Sequence, residues 1–183
     1  LTNLGPLASD ARVIRGREYW DLGMYDEARL EFESLREELE TNQDAVGSYR
    51  LANYLLDMGM YRSAIFAARQ VLTIAGLDEH TESMMAPAYF SHVRYGLYYS
   101  DLVIPIAQQE GFDPLFVYSV IRQESLFEGY VRSSAGARGL MQVIPSTGAQ
   151  IASELGKPAN YTEEDLYRPY VSVLLGSHYL ARN

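Results

Sequence analysis

Two segments 36 residues apart, Gly23-Met-Tyr-Asp-Glu-Ala28 and Gly59-Met-Tyr-Arg-Ser-Ala64, repeat one pattern, Gly-x-Tyr-x-x-Ala. An apolar or aromatic stretch precedes each glycine, with Tyr19 and Trp20 before the first and Leu51, Tyr54 and Leu55 before the second. A helix, a glycine turn and a second helix with a small residue where the two cross make a helical hairpin. Repetition near this length is how stacked hairpins bury a common core. The spacing predicts helix from Ala11 to about Leu39, broken at Leu22 to Tyr25, and a second hairpin around Gly59, with the aromatics as inter-helix core. Residues 1 to 12 carry Gly, Pro and Ser and read as an irregular entry. The cluster Glu31, Glu33, Glu37, Glu38 and Glu40 reads as a solvated face.

Composition narrows the function classes. The chain has 183 residues, enough for one or two domains with workable cores. Its net charge is −9, from 24 acidic and 15 basic residues, which argues against a polyanion-binding surface and so against nucleic acid. Without cysteine, disulfides, thiolate metal sites and a cysteine nucleophile are excluded. His80 and His92 have no second histidine or carboxylate at ligand spacing, so neither a metal nor another cofactor is expected. No apolar run reaches the length that spans a bilayer. The chain begins at Leu1 without a basic-then-apolar leader and reads as a processed or excised piece.

The stretch with chemistry is Asp113 to Pro145. Asp113 can accept a hydrogen bond from a free amide of the first turn, and Pro114 loses nothing at the first helical position, so a helix starts here and should run to about Phe127. Helical spacing places Val117, Val120, Ile121 and Glu124 on one face. A carboxylate continuing an apolar stripe is desolvated, which raises its pKa as a general acid requires. The alternative is a glutamate at the edge of the stripe, reaching water or pairing with Arg122 or Arg132. Gly129, Ser133, Ser134, Gly136 and Gly139 follow, before the apolar run from Leu140 to Ile144. Glycines permit close backbone approach, and the serines with Gln142 add uncharged donors and acceptors, as a carbohydrate-lining loop needs.

Around these residues the chain reads as helical. Asp101 to Gly111 forms a short helix ended by glycine. Ser146 to Leu155 forms another, Thr162 to Asp165 starts a further one with acids in its first turn, and Leu166 to Asn183 completes the set. In the last, Val171, Leu174, Leu175 and Tyr179 are expected to be buried and His178 half-buried.

RQES at Arg122 to Ser125, the spacing to Ser133, GLMQ at Gly139 to Gln142, and Pro145 with Thr147 resemble the soluble lytic transglycosylase domain over about residues 96 to 182. Residues 169 to 180 resemble a second helix of that family through Pro169, Val173, Gly176, Tyr179 and Leu180, departing at Ser172 where the family has asparagine. The repeat segment is similar to tetratricopeptide repeats. Together these imply an all-α chain: helical repeats over 1–76, a junction over 77–95, and a lysozyme-like catalytic domain over 96–183. That domain is expected to be incomplete, because the family's Ala-Tyr-Asn-Ala-Gly motif does not follow.

The resemblance implies peptidoglycan as substrate, in an extracytoplasmic setting. Glu124 would protonate the glycosidic oxygen and then take the proton of the C6 hydroxyl, leaving a 1,6-anhydro end. Ser133 would hold the acid and substrate, and Met141 and Gln142 would line the cleft. Gly139 and Ser125 join the substrate-binding set, Ser125 with an equal case for a local structural bond. Arg138 is a candidate contact for the carboxylates of the peptide stem. A hydrolytic mechanism would need a second carboxylate about 5 to 9 Å away, and Glu128 or Asp165 could be nominated. Two other readings stand beside this one, a lysozyme-type hydrolase of the same fold and a non-catalytic wall-binding module whose repeats bind a protein partner.

Overall fold

The computed structural model describes residues 3–77 and 85–182; His80 and the central part of the expected junction lie outside them. The chain divides into two compact units, Leu1–Gly96 and Leu97–Asn183. Among the described residues there are helices and no strands, as the sequence leads one to expect.

The first unit opens with a 3-10 turn, Gly5–Ser9, where an irregular entry was expected. It continues with α1 (Ala11–Asp21), α2 (Tyr25–Thr41), α3 (Ala45–Met58), α4 (Tyr61–Ile74) and α5 (Ala88–Arg94). Both repeat glycines turn the chain in the left-handed region, Gly23 at φ +76° and Gly59 at +81°, which an L side chain resists. Their partner alanines, Ala28 and Ala64, are fully buried where the helices cross. A residue the pattern does not flag brings the first pair closest: a Cβ on Gly16 would lie 2.8 Å from Cζ of Phe32. α5 occupies part of the expected junction. Pro87 precedes it, and its Tyr89 packs 5.0 Å from the ring of Tyr49.

A buried polar lock joins α2, α3 and α4. The amide nitrogen of Gln70 donates to Ser48 Oγ (2.8 Å) and to the Arg36 carbonyl (3.0 Å), while Arg36 donates back to Gln70 Oε1 at 2.9 Å. The acidic face is solvated, as expected, and is also laced with arginines. Arg15 grips Glu31 through two bonds of 2.8 and 2.7 Å, Arg12 reaches Glu38 at 2.8 Å, and Arg36 reaches Glu40 at 3.2 Å. Exposed pairs of this kind are screened by water and contribute little, so the hairpins rest on their apolar seam.

The second unit contains α6 (Ser100–Gln109), α7 (Pro114–Ser125), α8 (Pro145–Leu155), a 3-10 turn (Glu163–Tyr167) and α9 (Pro169–Ala181). α9 is its axis: every residue from Val171 to Ser177 is buried, and the helix packs against α6, α8 and the 3-10 turn. A turn starts at Thr162 with acids in its first turn, as expected, and a capping box closes it, with the Asp165 carboxylate accepting from the Thr162 amide at 2.8 Å.

Candidate active site

α7 starts as the sequence predicts, the Asp113 carboxylate accepting from the Leu115 amide at 2.8 Å with Pro114 at the first position. It ends two residues short of Phe127, because Leu126 (φ +50°) and Phe127 (φ +66°) turn into the left-handed region. Ser125 holds this turn: its Oγ donates to the Ile121 carbonyl and accepts from the Phe127 amide, both at 3.1 Å. The turn seats Phe127 in the core, 5.1 Å from the ring of Tyr98. Ser125 is buried and bonded to the backbone, as the local structural case made for it has it.

The apolar stripe of α7 divides into two rows. Val117, Ile121 and Ser125 follow one another at four-residue steps and are buried, whereas Val120 and Glu124 face a cleft. The cleft has a volume of about 240 Å³ and is walled by Val120, Glu124, Met141, Gln142, Thr147 and Tyr179, with Gly176 and Leu180 behind. Glu124 is exposed, so the desolvation expected from the helical pattern is absent. The carboxyl stands open to the cleft, as the alternative of a glutamate at the edge of the stripe reaching water has it.

The glycine-rich loop is a scaffold more than a wall. Ser133 closes a tight turn: Gly136 N–H donates to its carbonyl at 2.9 Å, and Ala137 N–H donates to its Oγ at 3.1 Å. Only the far end of the loop, Met141 to Ile144, reaches the cleft. Ser133 is not among the lining residues, and neither is Gly139. Gly139 sits at φ +74°, and a Cβ there would lie 1.9 Å from the Leu166 carbonyl oxygen and 2.9 Å from Ser172 Oγ. This glycine allows a close backbone approach. Gln142, at φ +48°, folds its side-chain amide back on the carbonyls of Gly139 (3.0 Å) and Val131 (3.2 Å).

Arg138 is held within the protein. It is 5% exposed, stacks 5.4 Å above the Tyr167 ring, and pairs with Glu164 at 2.6 Å and Glu163 at 3.0 Å. Burial opposes its charge, and Glu164, Tyr167 and Glu163 more than compensate, so its pKa lies above the ordinary arginine value. It ties the loop to the 3-10 turn and is not available to a ligand. Neither nominated second carboxylate lines the cleft. Glu128 is 2% exposed in the core, and Asp165 is bound by Thr162 and Arg168, which hold its pKa below the usual carboxylate value.

Tyr179, expected in the core, is 47% exposed and lines the cleft. The signal was its three-residue step from Gly176, which puts both on one helical face. His178 is half-buried and meets Glu110 at 3.0 Å.

The second unit is thus a helical fold with one cleft lined by a single carboxylate, Glu124, among the residues that wall it. Residues 101–183 match the transglycosylase SLT domain. The chain is 27% identical over 177 residues to the soluble lytic murein transglycosylase of Salmonella typhimurium, covering 95% of this chain and 24% of the relative. It is 36% identical over 84 residues to the membrane-bound lytic murein transglycosylase C of Actinobacillus pleuropneumoniae, covering 45% and 23%. An inactive mutant of the lytic transglycosylase Slt of Pseudomonas aeruginosa has the same fold, with a TM-score of 0.74 at 24% identity over 98% of this chain and 26% of that one. The chain thus spans about a quarter or less of the length of the relatives it matches. No described helix is long and apolar enough to cross a membrane.

Proposed function

We propose that this chain is part of a lytic transglycosylase that cleaves the bond between N-acetylmuramic acid and N-acetylglucosamine in peptidoglycan, in an extracytoplasmic setting. The observation that carries the reading is that Glu124 is the one carboxylate among the residues lining the cleft. Hydrolysis with two carboxylates needs a partner within about 5 to 9 Å, and the nominated ones are held elsewhere.

One group then serves both steps. The Glu124 carboxyl gives its proton to the glycosidic oxygen as the bond to C1 breaks, and the acetamido group of the muramic acid supports C1 from its own ring. The Glu124 carboxylate next removes the proton of the C6 hydroxyl, whose oxygen closes on C1 to leave a 1,6-anhydro end and the reprotonated acid. Because Glu124 is exposed, the exclusion of water that favours general acid catalysis comes from the glycan itself when it covers the cleft. Met141, Gln142 and the Tyr179 ring supply the walls, and the Tyr179 face suits a pyranose ring. Ser133 supports the site through the loop turn. A protein partner on the hairpins belongs to the same proposal, supported by the exposed Leu22, Met24 and Leu30 of the first hairpin.

Mass spectrometry of muropeptides released from purified peptidoglycan tests this. Anhydro products that disappear in Glu124→Gln, with glycan binding retained, are expected. Water-adducted products would assign a hydrolase, and binding without any product would leave a wall-binding module.

A further inference from the structure

Methionine is the most adaptable of the apolar side chains, with three rotatable bonds and a soft sulfur. Met141 is nevertheless held at three points by one face of α9. Its backbone amide donates to Ser172 Oγ at 3.1 Å, across 31 residues. Its side chain lies on Gly176 so closely that a Cβ there would sit 2.7 Å from both Cβ and Sδ. Its sulfur receives the Ser177 hydroxyl at 3.8 Å. Ser172, Gly176 and Ser177 all belong to the stretch of α9, Val171 to Ser177, that is buried throughout.

Gln142 follows directly at positive φ and carries the chain into the cleft. The orientation of that wall is therefore set by where the Met141 amide is fastened. We propose that Ser172 is a positioning residue for the substrate-binding wall, acting through the Met141 amide and never touching the glycan. The inference rests on the transglycosylase reading of the cleft.

The mechanism predicts which kinetic parameter moves. Met141 and Gln142 meet the substrate, whereas proton transfer belongs to Glu124 on another helix. Removing the acceptor leaves a buried N–H to find another partner and lets the wall drift. A purely structural role would reduce the folded fraction, lowering apparent kcat at constant KM.

The full chain, Ser172→Ala and Ser172→Cys are compared on a soluble tetrasaccharide of alternating N-acetylglucosamine and N-acetylmuramic acid. Ser172→Ala is expected to raise KM about tenfold, the equivalent of one hydrogen bond, with kcat and its pH profile unchanged. Ser172→Cys, with similar volume and a weak acceptor, falls between. Unchanged KM overturns the proposal, as does a fall in kcat that tracks the unfolded fraction. Amide hydrogen exchange in the unliganded protein provides a reading independent of turnover. Ser172→Ala is expected to speed exchange at Met141 at least tenfold and leave Ile121 unaffected, and an unchanged rate overturns the fastening. If the wild-type chain neither binds nor cleaves the tetrasaccharide, the functional reading fails while this exchange test still stands.

Discussion

Gly136 and Gly139 occupy the same loop in the same backbone region, at φ +84° and +74°, yet their surroundings differ. A Cβ on Gly136 meets nothing within 4 Å, so Gly136→Ala carries only the cost of a left-handed alanine, about 1 kcal/mol. A Cβ on Gly139 lies 1.9 Å from the Leu166 carbonyl oxygen and 3.0 Å from its carbon, a backbone group that cannot rotate away. To restore ordinary contact, the 3-10 turn has to retreat by about 1.5 Å or more, which adds overpacking of about 1–3 kcal/mol or more. The total for Gly139→Ala is then about 2–5 kcal/mol, and the excess over Gly136→Ala measures the steric part alone. For a unit of this size each kcal/mol lowers the melting temperature by about 4–8 °C. Thermal unfolding followed by circular dichroism should show a modest loss for Gly136→Ala and a loss at least twice as large for Gly139→Ala. Equal losses would refute the argument, because they would mean that backbone conformation alone demands glycine at position 139.

Gln70→Ala removes the hub of the polar lock and leaves the Arg36 carbonyl without its buried donor, so a loss of about 2–3 kcal/mol is expected by urea unfolding. A loss below about 0.5 kcal/mol would mean that water replaces the amide. Tyr89 has a pKa pushed up to about 12, chiefly by burial. The folded chain therefore keeps this proton where the unfolded chain loses it. The stability it contributes is complete below about pH 10 and is lost as pH rises through 12. Urea midpoints at pH 9 and pH 11.5 should fall less in Tyr89→Phe than in the wild type, and an equal fall would exclude Tyr89 as the cause.

The hairpins were legible because their signals are local. A glycine in a left-handed turn, an alanine five residues later and aromatics upstream need only the preceding and following turns to act. The start of α7 is equally local, since Asp113 and Pro114 serve the first turn of their own helix. The end of α7 was not legible: Leu126 and Phe127 adopt positive φ because Phe127 is drawn into the core beside Tyr98, and tertiary burial outweighs the local preference.

Within the site, the linear order of residues pointed to Glu124 and the Met141–Gln142 pair, which the fold brings to one cleft, and to a helical fold carrying them. Which neighbours met was decided only on folding. Arg138 went to Glu163, Glu164 and Tyr167, and Gly139 met the Leu166 carbonyl. Ser172 took the Met141 amide, and Tyr179 turned outward beside Gly176. Each of these contacts joins segments about 25 or more residues apart, or depends on which face of a helix another helix covers. Helical periodicity specifies a face but not what lies against it, so the same stripe that put Glu124 in line with Val117 left it facing an open cleft.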